Sequence, residues 1–186
     1  MEMNLSNHFL IAMPGMSDNN FVETLTLICE HNADGALGFI VNKPTQVAVA
    51  ELLQQQAVQF DPTSALAQRA LYTGGPVEPE RGFVLHSTEK TWSTTMHISN
   101  AFSITASRDI IESSVKGEGP KKSLFLLGYA GWGPGQLEDE ISSNTWLTSQ
   151  AAPDILFDLP AEQRWRAAAT RLGVDLSLLN ASAGHA

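Results

Sequence analysis

The stretch Leu124-Phe125-Leu126-Leu127-Gly128-Tyr129-Ala130-Gly131-Trp132-Gly133-Pro134-Gly135-Gln136-Leu137-Glu138-Asp139-Glu140 decides how the chain is read. Leu124–Leu127 is its most apolar run, and such a run suits a strand buried on both faces in the middle of a sheet. Residues 128–135 then read as a glycine-rich loop, because glycine permits sharp turns and close backbone approach. Gln136 to Ser142 reads as a short helix. Glu138, Asp139 and Glu140 fall in or near its first turn, where carboxylates complement the positive end of the helix. Trp132 stands between two glycines, so its indole either plugs the core beneath the loop or walls a pocket. The plug is the preferred reading.

Working outward, strands and helices mix along the chain. Phe9–Ala12, Ala36–Val41 and Gly82–His86 read as strands, and residues 91–106 as two β segments. Asn20 with Glu23 resembles a capping box. Phe21, Leu25, Ile28 and Cys29 then follow at helical spacing, so this segment is expected to be a helix with Cys29 facing the core. Val49, Leu52 and Leu53 predict a helix through about Gln56, and Asp109–Val115 a second. Ile155-Leu156-Phe157 reads as a strand or packed extended segment. Pro160 opens the clearest helix, with Trp165, Ala168, Ala169 and Leu172 on one face and Gly173 as its stop. Residues 181–186 are expected to fray. No repeat or linker breaks the pattern, so residues 1–186 read as one α+β domain.

Composition removes several functions. With 11 Lys plus Arg against 20 Asp plus Glu, the 186-residue chain carries a formal charge of −9. Nucleic-acid affinity rests on Lys and Arg contacts to phosphates, so direct DNA binding is disfavoured. The one cysteine cannot form an internal disulfide. No signal peptide and no apolar run of ~18–20 residues stands out. A cytoplasmic, non-membrane protein is the expectation. Walker, nucleophile-elbow, His-Glu-x-x-His and dinucleotide motifs are missing. The five histidines lack metal-ligand spacing, and no cofactor is expected.

Three turns are candidates for a shared working rim, since binding residues favour loops at strand ends. They are Asn42-Lys43-Pro44, Thr73-Gly74-Gly75-Pro76, and the loop carrying Tyr129, Trp132 and Gly133 into Gln136, Glu138 and Glu140. His86, at a strand end, is the one histidine with a case for acid–base work, against a plain hydrogen-bonded role. The three acidic residues would repel a phosphate from the helix start. A cationic ligand, a metal on Glu138 and Glu140, or a Lys/Arg-rich partner suits them better, as does a merely solvated helix start.

The blocks Phe9–Met16 (FLIAMPGM), Gly38–Pro44 (GFIVNKP), Gly74–Val77 (GGPV) and Gly128–Glu138 (GYAGWGPGQLE) resemble the AlgH/YqgE family of bacterial proteins, in the same order and over nearly the whole chain. The resemblance implies a single domain with a bifurcated, partly barrel-like sheet flanked by helices. It also implies a cytoplasmic transcriptional regulator linked to alginate production, with no catalytic residues to transfer. Joined to the charge, it suggests a regulator acting through a protein partner or small effector. The alternative is an enzyme with its site at the Gly131–Gly135 loop, using Glu138 and Glu140 near Lys43, His86 and Tyr129.

Overall fold

In the computed structural model, which describes residues 3–183, one strand organises the sheet. The apolar run and the glycines after it form a single ten-residue strand, β9 (Ser123–Trp132), where a loop was expected from Gly128 onward. Ahead of it run β1 (His8–Ala12), β2 (Leu25–Asn32), β3 (Gly35–Ile40), β4 (Pro44–Ala48), β5 (Ala70–Thr73), β6 (Val77–His86), β7 (Thr95–His97) and β8 (Ser103–Thr105); β10 (Trp146–Gln150) follows. Strand order is β10-β1-β2-β3-β9-β6-β8-β7. The sheet forks on one edge of β9. Its second half pairs with β3 at Ala130–Trp132, while its first half takes β5 in parallel at Leu126 and Leu127. β5 in turn carries β4. The ten strands thus form a curled, mainly antiparallel half-barrel with a side branch, the bifurcated α+β sheet that the resemblance implied.

The fork depends on residues without side chains. A Cβ on Gly128, at φ +75°, would lie 2.5 Å from the Gly75 carbonyl oxygen; one on Gly75 would lie 2.2 Å from the Tyr129 carbonyl carbon. Only glycine lets the two backbones cross so closely.

Helices cover both faces. α5 (Pro153–Asp158), α6 (Ala161–Arg171) and α7 (Leu176–Ala183) bury Ile155, Leu156, Trp165, Ala168, Ala169 and Leu176 against Phe9, Leu27, Phe39, Leu85 and Leu126 on one face. On the opposite face, α4 (Gln136–Ser142) covers the β1–β2 arm with Leu137. There α1 (Val49–Gln55) and α3 (Arg108–Val115) cover the β6–β9 arm; the short α2 (Ala65–Gln68) leads into β5. No helix among the described residues is long and apolar enough to cross a membrane.

Two further segments differ from the sequence reading. Residues 25–29 are strand, not helix. All five are buried, because Leu25, Leu27 and Cys29 face α6 while Ile28 faces Trp132. A strand covered on both sides shows no alternation, and its apolar residues matched a helical spacing by chance. Ile155–Phe157 lie in helix α5, started by Pro153 at its first turn, where a missing N–H costs nothing. α6 does stop as expected: Gly173 has φ +77° and Val174 N–H donates to the Ala169 carbonyl at 3.1 Å. α7 runs into the segment expected to fray, and residues 184–186 lie outside the described part.

Candidate functional site

The turn after β3 is held from several directions. Asn42 is buried; its Oδ1 accepts from Leu25 N–H at 2.8 Å and its Nδ2 donates to the Glu23 carbonyl at 2.9 Å. Buried Arg164 of α6 donates to the Val41 carbonyl at 2.6 Å and to the Leu159 carbonyl at 3.1 Å. Thr73 N–H donates to the Lys43 carbonyl at 3.0 Å. Gly74 completes the junction, donating to Leu127 and accepting from Ile40, both at 2.7 Å. The Lys43 backbone is therefore fixed, whereas its ammonium has no carboxylate partner among the described residues.

Lys43 borders two adjoining hollows. The larger, about 590 Å³, is walled by Thr73, Gly75 and Pro76 of the second turn, with Ile40, Asn20 and Val22 around them. The smaller, about 320 Å³, has Glu23, Glu162, Trp165 and Arg166 in its wall. Both volumes lie within or near the range of small-molecule sites. Thus the first two turns meet at one rim. The third does not: Gly133, Gln136, Glu138 and Glu140 line neither hollow, and Trp132 borders a separate one of about 260 Å³ beside Asp34 and Gly35. The separation follows from β9, which runs extended through Gly131 and carries the third turn to the β2–β3 hairpin. Tyr129, on β9, packs edge-on against Phe83 with centroids 6.1 Å apart.

Two of the three acidic residues of the third turn, Glu138 and Glu140, are bonded to buried side chains, while Asp139 is exposed. Glu140 Oε1 accepts from both indoles, Trp132 Nε1–H and Trp146 Nε1–H, each at 3.0 Å, and its Oε2 accepts from Gln136 at 2.9 Å. Trp132 is 7% exposed and plugs the core with Trp146 and Phe21. Glu138 accepts from His31 Nε2–H at 2.5 Å. His31 Nδ1 accepts from Leu5 N–H at 3.0 Å, which leaves the proton on Nε2. Nothing local could have announced this pair, since its members lie 107 residues apart. Among the described residues no group of three or more His, Cys, Asp or Glu side chains could hold a metal ion.

His86 is fully buried in a directed chain of hydrogen bonds. Trp92 N–H donates to Thr95 Oγ1 at 2.7 Å, Thr95 pairs with Thr105 Oγ1 at 2.8 Å, and Thr105 pairs with His86 Nε2 at 2.7 Å. His86 Nδ1–H donates to the Ser87 carbonyl at 2.7 Å, so Nε2 accepts. Burial lowers its pKa below the usual 6.5; the Ser87 carbonyl and Glu89 oppose this, and His97 adds to it. The folded state therefore binds the His86 proton less readily than the unfolded chain. The stability that neutral His86 supports is complete above about pH 6.5 and is lost as pH falls below it. A His86→Gln variant is expected to lose less stability than wild type between pH 7 and pH 5. Urea midpoints across that range check this, and parallel curves would refute it.

Cys29 is also inert. Burial first, and Glu30 second, raise its pKa far above that of a free thiol, so the nucleophilic thiolate is suppressed.

Comparison with known proteins places this architecture. A family model described as AlgH-like matches residues 9–177. The chain belongs to the AlgH-like family. Within that family, it is 52% identical over 183 residues to a UPF0301 protein of Thioalkalivibrio sulfidiphilus, covering 98% of this chain and 97% of the relative. A UPF0301 protein of Pseudomonas aeruginosa is 50% identical over 182 residues, covering 98% and 96%. The solution structure of the AlgH protein from Pseudomonas aeruginosa superposes on this AlgH-like chain with TM-score 0.81 at 47% identity, over all of both chains. A crystal structure from Corynebacterium diphtheriae, DIP2367, shares the fold alone, with TM-score 0.76 at 23% identity over 97% and 94% of the two chains.

Proposed function

We propose that this AlgH-like chain is a non-catalytic cytoplasmic regulator that binds a small effector at the Lys43 rim and signals to a protein partner. One observation carries the reading. Glu138, Glu140 and His86, the groups suited to acid–base work, are held in hydrogen bonds within the fold, whereas Lys43 alone among the candidates offers an unpaired charge to an open hollow. The family resemblance supports the regulatory part, including a link to alginate control. The charge of −9 favours an effector or protein over DNA as the immediate contact.

The test is a thermal-shift panel of organic acids, sugar phosphates, nucleotides, amines and a DNA duplex. Wild type and Lys43→Met are compared. A compound at ~100 times its Kd stabilises the native state by ~2.7 kcal/mol, and its shift is expected to vanish in the variant. Turnover of any panel member, or a shift that Lys43→Met leaves intact, would count against the proposal.

A further inference from the structure

We infer that the larger Lys43 hollow takes a small aliphatic monocarboxylate, an assignment that rests on the effector reading above. Lys43 is its only charged wall residue, and the rest of the wall is neutral, so the site is built for one negative group. A second negative group would meet opposition on both sides. The adjoining hollow that shares Lys43 presents Glu23 and Glu162 against one further cation, Arg166, so apart from Lys43 its wall is net negative. Beyond Pro79, the next hollow presents Glu80 and Glu51. Like charges at short range disfavour polyphosphates and dianions here.

The body of the ligand follows from the remaining wall. Ile40, Val22, Pro76 and Pro79 are aliphatic, and proline has no N–H to donate. No aromatic residue lines this hollow, so a base or aryl ring would find nothing to stack on. Asn19, Asn20 and Thr73 supply polar groups at the rim. The wall is also preformed. Thr73 is tied to Lys43 at 3.0 Å, and Gly75 is wedged against Tyr129. Little ordering cost then opposes a weak, small ligand.

The experiment titrates hexanoate into the ¹⁵N-labelled full chain, with hexanamide, hexylamine and ATP in parallel. Expected are saturable shifts in the amide signals of Val22, Ile40 and Thr73. Hexanamide and ATP should bind roughly two- to fivefold more weakly, the scale of one exposed charge pair. Lys43→Met should weaken hexanoate by the same factor and Lys43→Arg should retain it. Val22→Asp, at a residue 38% exposed, should weaken hexanoate without disturbing the fold. Equal binding of hexanamide, tighter binding of ATP, or shifts confined to another surface would overturn the assignment. If hexanoate is silent while hexylamine or ATP shifts the same amides in a Lys43-dependent way, the carboxylate assignment falls and the effector site stands. Silence from every probe removes both.

Discussion

Gly128→Ala is expected to lower the stability of the chain by on the order of 2–5 kcal/mol, a large part of the ~5–15 kcal/mol that holds a typical domain together. Two effects add. At φ +75° an alanine is strained by ~1–2 kcal/mol. Its Cβ would also lie 2.5 Å from the Gly75 carbonyl oxygen and 3.0 Å from both the Pro79 Cα and the Val77 carbonyl oxygen. These are backbone atoms of a packed junction, so relief requires moving strands, at ~1–3 kcal/mol or more. Gly135→Ala separates the two effects. Gly135 has the same φ of +75°, but its added Cβ meets nothing within 4 Å. Only the strain remains there, ~1–2 kcal/mol. Urea denaturation of both variants measures the difference. Equal losses would show that the close crossing of β9 and the Gly74–Gly75 turn contributes nothing.

The second large effect is expected from Glu140→Leu, a loss of about 2–6 kcal/mol, because two buried indole donors lose their shared acceptor at ~1–3 kcal/mol each. Trp132 and Trp146 are 7% and 4% exposed. Glu140→Gln keeps an acceptor oxygen and should lose less than half as much. Combining Glu140→Leu with Trp146→Phe removes one orphaned donor, so the double variant should lose less than the sum of the singles. Strict additivity would mean that the indoles find water instead. This network is also why the acidic turn is a poor candidate for catalysis: its best-placed carboxylate holds the core closed.

The pattern of the sequence was informative where one local rule decided the outcome. Phe9–Ala12 and Ala36–Val41 were legible as strands because short apolar runs ended in turn residues. α1 and α6 are legible because apolar residues recur at helical spacing, and α3 and α4 as short segments set off by glycine-rich turns. β2 was misread because its environment supplies apolar neighbours on both faces, which only the assembled sheet reveals. The glycines of β9 misled for a related reason. Gly128 and Gly131 sit in a strand, and Gly128 is there to admit another backbone. At the site, the Asn42–Lys43 and Gly74–Gly75 turns announced themselves through turn chemistry. The engagement of Glu138 by His31 could not be anticipated, because partners 107 residues apart meet only through the fold; Trp132 and Trp146 stand only eight and six residues from Glu140, but no helical or strand period brings both indoles to one carboxylate.

The pairing of β1 with β10 has a consequence for how the chain is made. His8 opposes Gln150 and Ala12 opposes Trp146, so the first strand waits for one of the last. At a synthesis rate of ~5–20 residues per second, the ~140 intervening residues take roughly 7–28 seconds. Throughout that interval one edge of β1, an almost wholly buried HFLIA segment, has no native neighbour and can template pairing with another nascent chain. A message truncated before codon 146 would leave that edge open for good, and its product should aggregate even though most of the sheet is present.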